Sequence, residues 1–302
     1  MPAENLAQKE TTQPVEPTWT CVTCGANASG DYCSQCGEKH VAGRDISFAH
    51  LGAEALEAFF HLDSKLLLTL RTLFLQPGRL TADFFLGRRK PFMAPLQTFL
   101  VCNLIFFVLQ PLTGLEILAP PLRVFNNNAI LGKIAQPMIE HQLARKQILR
   151  TDTAKMEEFT RRFNQVSHLQ AKSLVVLMSP LLACVLALLY LGRRRFYSEH
   201  LIFALHGYAW WMLWLLIILI SMALLLVTSR AAGSPISLGA MDELATLLEF
   251  GGFGLYLGLA MQRFYRQSVA ATVARAVPLA FATFAVFHLY RVILLFTILY
   301  AM

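Results

Sequence analysis

Apolar residues occur in long blocks along this chain, and short polar stretches separate them. Five blocks are long enough to cross about 30 Å of hydrocarbon, which takes about 20 helical residues. They cover residues 92–112, 173–191, 200–227, 244–261 and 276–301. The fourth block is the most polar, because it contains four glycines and Glu249. The pattern predicts an all-α membrane protein whose bundle of about five transmembrane helices occupies residues 92–302.

Composition supports a membrane protein and argues against a soluble nucleic-acid-binding protein. The 302 residues are 56% hydrophobic and 15% charged, whereas soluble domains are about 45–50% apolar and about 25% charged. The formal net charge is +7, which in a soluble protein would indicate nucleic-acid binding. Because membrane proteins gather Lys and Arg in loops on one side, this charge does not favour a nucleic-acid partner.

The polar segments predict a tail and a helical loop. Residues 1–20 lack an apolar run and a signal-peptide pattern, and we expect a disordered tail. Residues 113–172 contain a stretch of helix-forming composition without Gly or Pro after Met138. They predict a helical extracytoplasmic loop between the first two spans.

Residues 44–90 predict two amphipathic helices that are too short to span a bilayer. Asp63 or Ser64 would cap the second helix, and Pro77 would end it. Such helices can lie in the membrane interface or pack under the bundle, and the pattern leaves both arrangements open.

Basic residues near the predicted interface give the orientation. Three short stretches, residues 87–91, 192–200 and 263–275, hold eight of the eighteen arginines. All three fall on one side if there are five spans. The long loop 113–172 carries nine Lys or Arg on the other side, but its charges are mixed. We therefore expect a cytoplasmic N-terminus and a periplasmic C-terminus. The basic residues expected near lipid headgroups are Arg71, Arg88, Arg89, Lys90, Arg193, Arg194 and Arg195.

A cysteine-rich segment, residues 21–40, precedes the membrane part. Its sequence CVTCGANASGDYCSQCGEKH holds two Cys-x2-Cys pairs, each followed by a glycine. Four thiolates at this spacing can bind Zn²⁺ tetrahedrally, and a closed four-thiolate site is structural rather than catalytic. Two disulfides, or a redox or iron site, are the alternatives, and the reducing cytoplasm favours zinc. The predicted zinc ribbon has the ligands Cys21, Cys24, Cys33 and Cys36, with His40 as a substitute.

Ionisable residues inside the spans are costly and therefore indicate function or pairing. We expect Glu249 and Arg291 to form a pair between adjacent helices; the alternative is that the fifth span is shifted and Arg291 extends to the interface. Two further hypotheses are a haem held by two histidines and a lipid-hydrolysing cluster at the start of the third span. The competing interpretation is that these histidines are structural and have hydrogen-bond partners within the protein. The intramembrane polar candidates are Glu249, His288, Arg291, His206, Glu199 and His200.

Several motifs together resemble a bacterial family of polytopic membrane proteins that is known only as a domain of unknown function. The resemblance begins with the CxxCG…YCxxCG ribbon and continues with an Asp-Ser-Lys block, a Thr-Leu-x-x-Leu run and a Pro-Gly pair. A Gly-Arg-Arg-Lys stretch before the first span and an EHLIFALH block follow. The resemblance covers most of the chain from residue 21 and implies a bacterial inner-membrane protein, without implying an activity.

These patterns lead to three hypotheses of function. The first is a non-enzymatic membrane scaffold, whose zinc ribbon docks a cytoplasmic partner or the protein's own membrane domain. The second is a transporter or channel that uses Glu249, His288 and Arg291. The third is a membrane enzyme acting on lipid. The sequence favours the first, since it contains no recognised catalytic motif, and it leaves homo-oligomerisation through the glycines of the fourth span open.

Overall fold

The computed structural model of the chain is predominantly helical. In its described part it contains ten α-helices and one two-stranded antiparallel sheet. The first predicted interfacial helix and most of the predicted tail lie outside the described residues. The structure describes residues 18–40, 65–115, 117–127, 131–233 and 237–302.

A small ribbon opens the described chain. Strand β1 (Thr18–Thr20) pairs with β2 (Asn27–Ser29), with Trp19 opposite Ala28. A single bridge joins Tyr32 to Lys39 in the second half of the ribbon.

Two short helices lie between the ribbon and the first span. Helix α1 (Lys65–Leu75) turns at Gly78 into helix α2 (Arg79–Phe85). Gly78 has φ +75°, and a Cβ atom there would lie 2.6 Å from the carbonyl oxygen of Ala260. Because only glycine combines this φ with no side chain, the turn can sit directly against the neighbouring helix.

Helix α1 packs on the protein through one face and exposes leucines on the other, while its place in the membrane interface stays a prediction. Its Thr69 and Thr72 are buried, and Thr69 Oγ1 accepts a hydrogen bond of 3.0 Å from the Met93 amide. Leu67 and Leu75 on the same helix are exposed. The helix therefore packs on the protein through its threonines and presents leucines outward, as expected at a membrane surface.

Eight further helices follow, and together they form the membrane part. They are α3 (Pro95–Leu109), α4 (Leu122–Asn127), α5 (Leu131–Arg145), α6 (Thr153–Leu174), α7 (Met178–Leu189), α8 (Tyr197–Ala231), α9 (Leu238–Tyr265) and α10 (Val269–Ala301). Five helical stretches in the described residues are long and apolar enough to cross a membrane. The predicted fold class is therefore confirmed, and the chain has the architecture of a multi-pass membrane protein.

The second of these stretches is longer than the sequence pattern indicated. Helices α6 and α7 are joined by a short 3₁₀ turn, and residues Thr153–Leu189 form one continuous helical segment of 37 residues. Asp152 caps its start by accepting a 3.2 Å hydrogen bond from the Lys155 amide. No Gly or Pro occurs between Asp152 and Pro180, so nothing separates the polar helical loop from the span that follows it.

Helix α8 is the centre of the bundle, in contact with α3, α7 and α9. It is apolar on all sides, as expected for a helix surrounded by others or by lipid. The Trp210 ring stacks on that of Tyr256 in α9, with 4.4 Å between their centroids. Such aromatic contacts fix the register between α8 and α9.

Candidate metal centre

Two similar turns present the four cysteines. In the first, the Gly25 amide donates a 2.8 Å hydrogen bond to the Cys21 carbonyl; in the second, Gly37 donates a 2.8 Å bond to the Cys33 carbonyl. Both glycines have positive φ, +78° and +70°. The glycine after each Cys-x2-Cys pair thus closes a tight turn that places both sulfurs of the pair on the same side.

The four sulfurs form one compact group. Their Sγ atoms all lie within 4.8 Å of one another, with 3.5 Å between Cys21 and Cys36 and 3.6 Å between Cys24 and Cys33. A tetrahedral ion with metal–sulfur bonds of about 2.3 Å would separate its ligands by about 3.8 Å. A disulfide bond is only about 2.05 Å long. The geometry therefore fits a tetrahedral metal site, and the described cysteines are free thiols.

The pKa values of these thiols bear on whether all four can be ionised at once. Amide hydrogen bonds from Cys36 and Gln35 lower the pKa of Cys33 to about 7. The Glu38 amide also lowers the pKa of Cys36, but burial and the neighbouring sulfurs outweigh it and raise that pKa to about 12. Four thiolates in so small a volume repel one another, and a bound metal ion would supply the positive charge that favours the ionised form of all four.

His40, the substitute ligand, has a different role. Its ring stacks on Trp19 with 4.5 Å between the centroids, and the Trp19 indole donates a 2.9 Å hydrogen bond to the Gly30 carbonyl. Within the described residues, the metal-ligating group comprises the four cysteines without His40. The His40 ring therefore packs against Trp19 at one side of the ribbon.

The ribbon is held against the membrane part by one carboxylate. Glu38 is only 3% exposed. Its Oε2 accepts hydrogen bonds from the Lys90 amide at 2.9 Å, from the Arg89 amide at 3.2 Å and from the Thr23 hydroxyl at 2.7 Å. The first two donors belong to the loop before α3, and the third belongs to the ribbon. This carboxylate therefore joins the two parts through charge-assisted bonds.

A second contact reinforces this one. Arg88 Nε donates a 2.8 Å hydrogen bond to the carbonyl of Val22, between the first two cysteines. Asp83, which is buried in α2, holds Arg88 through a 3.6 Å ion pair and also contacts Arg79 at 3.1 Å. We call residues 86–90 the docking loop. It fixes both turns of the ribbon, one through Val22 and the other through Glu38.

The docking loop lies among other positive charges. Partial burial and the nearby charge of Lys90 lower the pKa of Lys65 at the start of α1. Arg263 Nη1 donates a 3.1 Å hydrogen bond to the Pro77 carbonyl, and Arg193 Nη1 donates a 3.3 Å bond to the Tyr265 carbonyl. The basic connections before α3, before α8 and after α9 therefore meet at the end of the bundle that carries the cysteines.

The three polar candidates at the start of α8 do not form one cluster. Glu199 pairs with Arg195, His200 Nδ1 lies 2.7 Å from the Tyr265 hydroxyl, and His206 Nδ1 lies 2.9 Å from the Thr81 hydroxyl. All three are buried. Their different partners tie α8 to its own N-terminus, to α9 and to α2 respectively.

Arg291 and His288 of α10 contact different carbonyl groups. Arg291 donates a 3.2 Å hydrogen bond to the Ile117 carbonyl and lies over the Phe287 ring at 4.4 Å. Glu249 is close enough to interact with this guanidinium electrostatically; their direct pairing stays a prediction. His288 Nδ1 lies 3.0 Å from the Phe284 carbonyl on its own helix. Arg291 therefore fixes a segment outside the spans.

Sequence reasoning missed the residues that position the ribbon. The available signal for Glu38 was its position, because it is a charged residue directly after the second Cys-x2-Cys-Gly turn. Asp83 stands four residues after Arg79 in a short helix, a spacing that brings opposite charges together. Neither pattern reveals the contact between the ribbon and the docking loop, whose partners are about 50 residues apart in sequence.

Comparison with known proteins gives one match. The family model described as "Protein of unknown function (DUF3667)" matches residues 63–107. No curated protein and no solved structure matches the chain. The matched segment holds α1, α2, the docking loop and most of α3, which is the part of the membrane domain on which the ribbon rests. The similarity therefore covers the receiving surface but not the four cysteines.

Proposed function

We propose that this chain is a bacterial inner-membrane scaffold protein whose N-terminal ribbon, folded by one Zn²⁺ ion, docks onto the protein's own membrane domain. The Glu38 carboxylate carries this proposal, because it bonds to the ribbon and to the docking loop at the same time. A ribbon of about 20 residues is too small to fold without a staple. The metal would therefore create the surface that contacts the loop.

The donor set supports zinc. Four thiolates in tetrahedral positions suit Zn²⁺ or an iron–sulfur centre, and a closed site of four cysteines is the common structural zinc arrangement. Amides that point at the sulfurs, such as those of Gln35 and Cys36, are the surrounding hydrogen bonds that such sites use. Zinc would have a structural role, since the four sulfurs leave no position for water or substrate.

The clustered basic loops support a cytoplasmic location of the ribbon. Lys and Arg in short loops stay on the cytoplasmic side, and the docking loop shares its end of the bundle with Arg193 and Arg263. The opposite end holds Lys146, whose ammonium donates to the Met302 carbonyl at 2.6 Å. The N-terminus would thus be cytoplasmic and the C-terminus periplasmic, with Tyr32, which is 58% exposed, left for a cytoplasmic protein partner.

The other two hypotheses receive less support from the geometry. A lipid-cleaving enzyme needs its catalytic groups together in an accessible cleft, whereas Glu199, His200 and His206 are buried and have separate partners. A transport pathway through Glu249, His288 and Arg291 would need these side chains to line one hydrated passage. Arg291 instead binds a carbonyl of the segment before α4.

Metal analysis of the purified full chain tests the proposal. We expect one zinc per chain in the wild type, little zinc in Cys33→Ser, and wild-type zinc in Cys184→Ser, a matched control at an exposed cysteine outside the ribbon. In intact cells, a membrane-impermeant thiol reagent applied from the periplasm should leave the four ribbon cysteines unlabelled. Disulfides among them, or their labelling from the periplasm, would contradict the proposal.

A further inference from the structure

A second candidate site lies at the other end of the bundle. A cavity of about 590 Å³ opens between the segment before α4 and helices α4, α6, α8 and α9. Its α8 wall is formed by residues 218–226, which are 12–20 residues beyond His206. At about 1.5 Å per residue, this is about 18–30 Å from the contact of His206 with α2. The cavity is therefore distinct from the metal centre, and none of its lining residues belongs to the ribbon.

One side of the cavity is apolar. Helices α8 and α9 line it with aliphatic and thioether side chains that suit an acyl chain rather than a polar ligand. Its volume lies in the range of about 300–1,000 Å³ that is typical of sites for one small ligand. The residues of this wall are Ile218, Leu219, Met222, Leu226, Met241 and Ala245.

The lining from α4, α6 and the segment before α4 is mixed and carries a positive charge. Thr160 and Asn164 of α6 and Arg123 of α4 line it together with the apolar Pro121 and Val124. Arg123 makes no ion pair with a residue in the part of the chain that the structure describes. A guanidinium has five donors in a planar fork and binds carboxylate or phosphate strongly. An exposed arginine beside an apolar wall matches a ligand with an anionic head and a hydrocarbon tail.

Residues 117–122, between the two walls, are held by hydrogen bonds at both ends, so this part of the cavity is preformed. Arg291 binds the Ile117 carbonyl at 3.2 Å, and Tyr290 binds the Leu118 carbonyl at 2.9 Å. On the other side of this segment, Asn164 Oδ1 accepts a 3.0 Å hydrogen bond from the Leu122 amide. Rigid positioning reduces the ordering cost of binding, and it gives the partly buried Arg291 a role in shaping the site.

We propose that this cavity binds one single-chain anionic amphiphile, whose tail lies along α8 and α9 and whose head group contacts Arg123. Trp214 packs against Ile218, Met222 and Met241, so it serves as a reporter next to the tail. Bromine atoms on a bound acyl chain would quench its fluorescence on contact.

The test titrates the purified full chain in an uncharged detergent with 9,10-dibromostearate and with its uncharged methyl ester. We expect saturable quenching by the acid and weaker binding of the ester. Arg123→Gln should weaken binding of the acid about tenfold, the loss of one hydrogen bond to a charged group, without affecting the ester. Ala245→Phe, which fills the apolar side, should weaken binding of both probes.

Arg230→Gln is the matched control, because Arg230 is an exposed arginine in the last turn of α8 that does not line the cavity. It should bind both probes as the wild type does. Equal affinities of the Arg123→Gln and Arg230→Gln variants for the acid would overturn the proposal. So would equal wild-type affinities for acid and ester, since both results would mean that the anionic head group is not recognised. The Arg123→Gln comparison remains decisive if Ala245→Phe fails to fold.

Discussion

Replacing Glu38 by alanine should release the ribbon from the membrane domain. The change removes an oxygen that accepts from the amides of Arg89 and Lys90 and from the Thr23 hydroxyl. Removing one partner from a buried, hydrogen-bonded charge typically costs about 2–5 kcal/mol. The docking loop is partly exposed, so water can replace some of these bonds, and we expect about 3 kcal/mol. This equals about two powers of ten in the docking equilibrium.

Hydrogen exchange at the docking loop measures this change directly. The Lys90 amide donates to Glu38 in the docked state and exchanges when this contact opens, whereas the Arg89 amide also donates a 3.1 Å hydrogen bond to the Gly87 carbonyl. We therefore expect exchange of the Lys90 amide in Glu38→Ala to be about 100-fold faster, in line with the estimated free energy, and exchange of the Arg89 amide to increase less. Glu38→Gln keeps an acceptor oxygen without the charge and should give a smaller increase. Amides in the middle of α3, such as that of Cys102, should not change.

Glu158→Ala provides the control, because Glu158 is an exposed glutamate of α6. It should leave exchange at residues 89 and 90 as in the wild type. If the Lys90 amide kept wild-type protection in Glu38→Ala while zinc content was unchanged, the carboxylate would not hold the ribbon against the docking loop.

Two substitutions in the bundle test contacts that position the docking loop. Gly78→Ala should lower the free energy of unfolding by about 2–4 kcal/mol, because its Cβ would lie 2.6 Å from the Ala260 carbonyl oxygen. The control is Gly233→Ala, where φ is also positive but the space is open, and it should lower the free energy of unfolding clearly less. Equal thermal unfolding of the two variants in detergent would contradict the close approach. Thr81→Val removes the partner of buried His206 and should cost about 1–3 kcal/mol. Thr228→Val, at an exposed threonine that bonds within its own helix, should be near neutral in the same assay.

Hydrophobic pattern was sufficient to predict the main architecture. The five apolar blocks predicted five long helices because a bilayer demands a minimum apolar length, and that requirement is visible in a single sequence. The continuity of α6 and α7 was harder to predict from the sequence. The polar half ending near Ala171 and the apolar half starting near Ser173 differ in composition, so they appeared as separate elements although no helix-breaking residue divides them.

The candidate site was predicted only where its residues are close in sequence. The spacing from Cys21 to Cys36 allowed the four ligands to be grouped, because short turns limit where their sulfurs can lie. Glu38 bonds to amides about 50 residues away, and no local pattern specifies such a contact. Glu199, His200 and His206 were grouped by proximity along α8, yet their side chains leave the helix in different directions.

The unbroken helical segment from Thr153 to Leu189 makes this region intolerant of changes in chain length. Each inserted residue would rotate everything after it by about 100° and advance it by about 1.5 Å. A single insertion near Asn164 would thus turn either the face that meets α8 or the face that meets α4 away from its neighbour. Epitopes and fluorescent fusions placed here would disturb both ends of the segment, whereas a loop would absorb the same insertion locally.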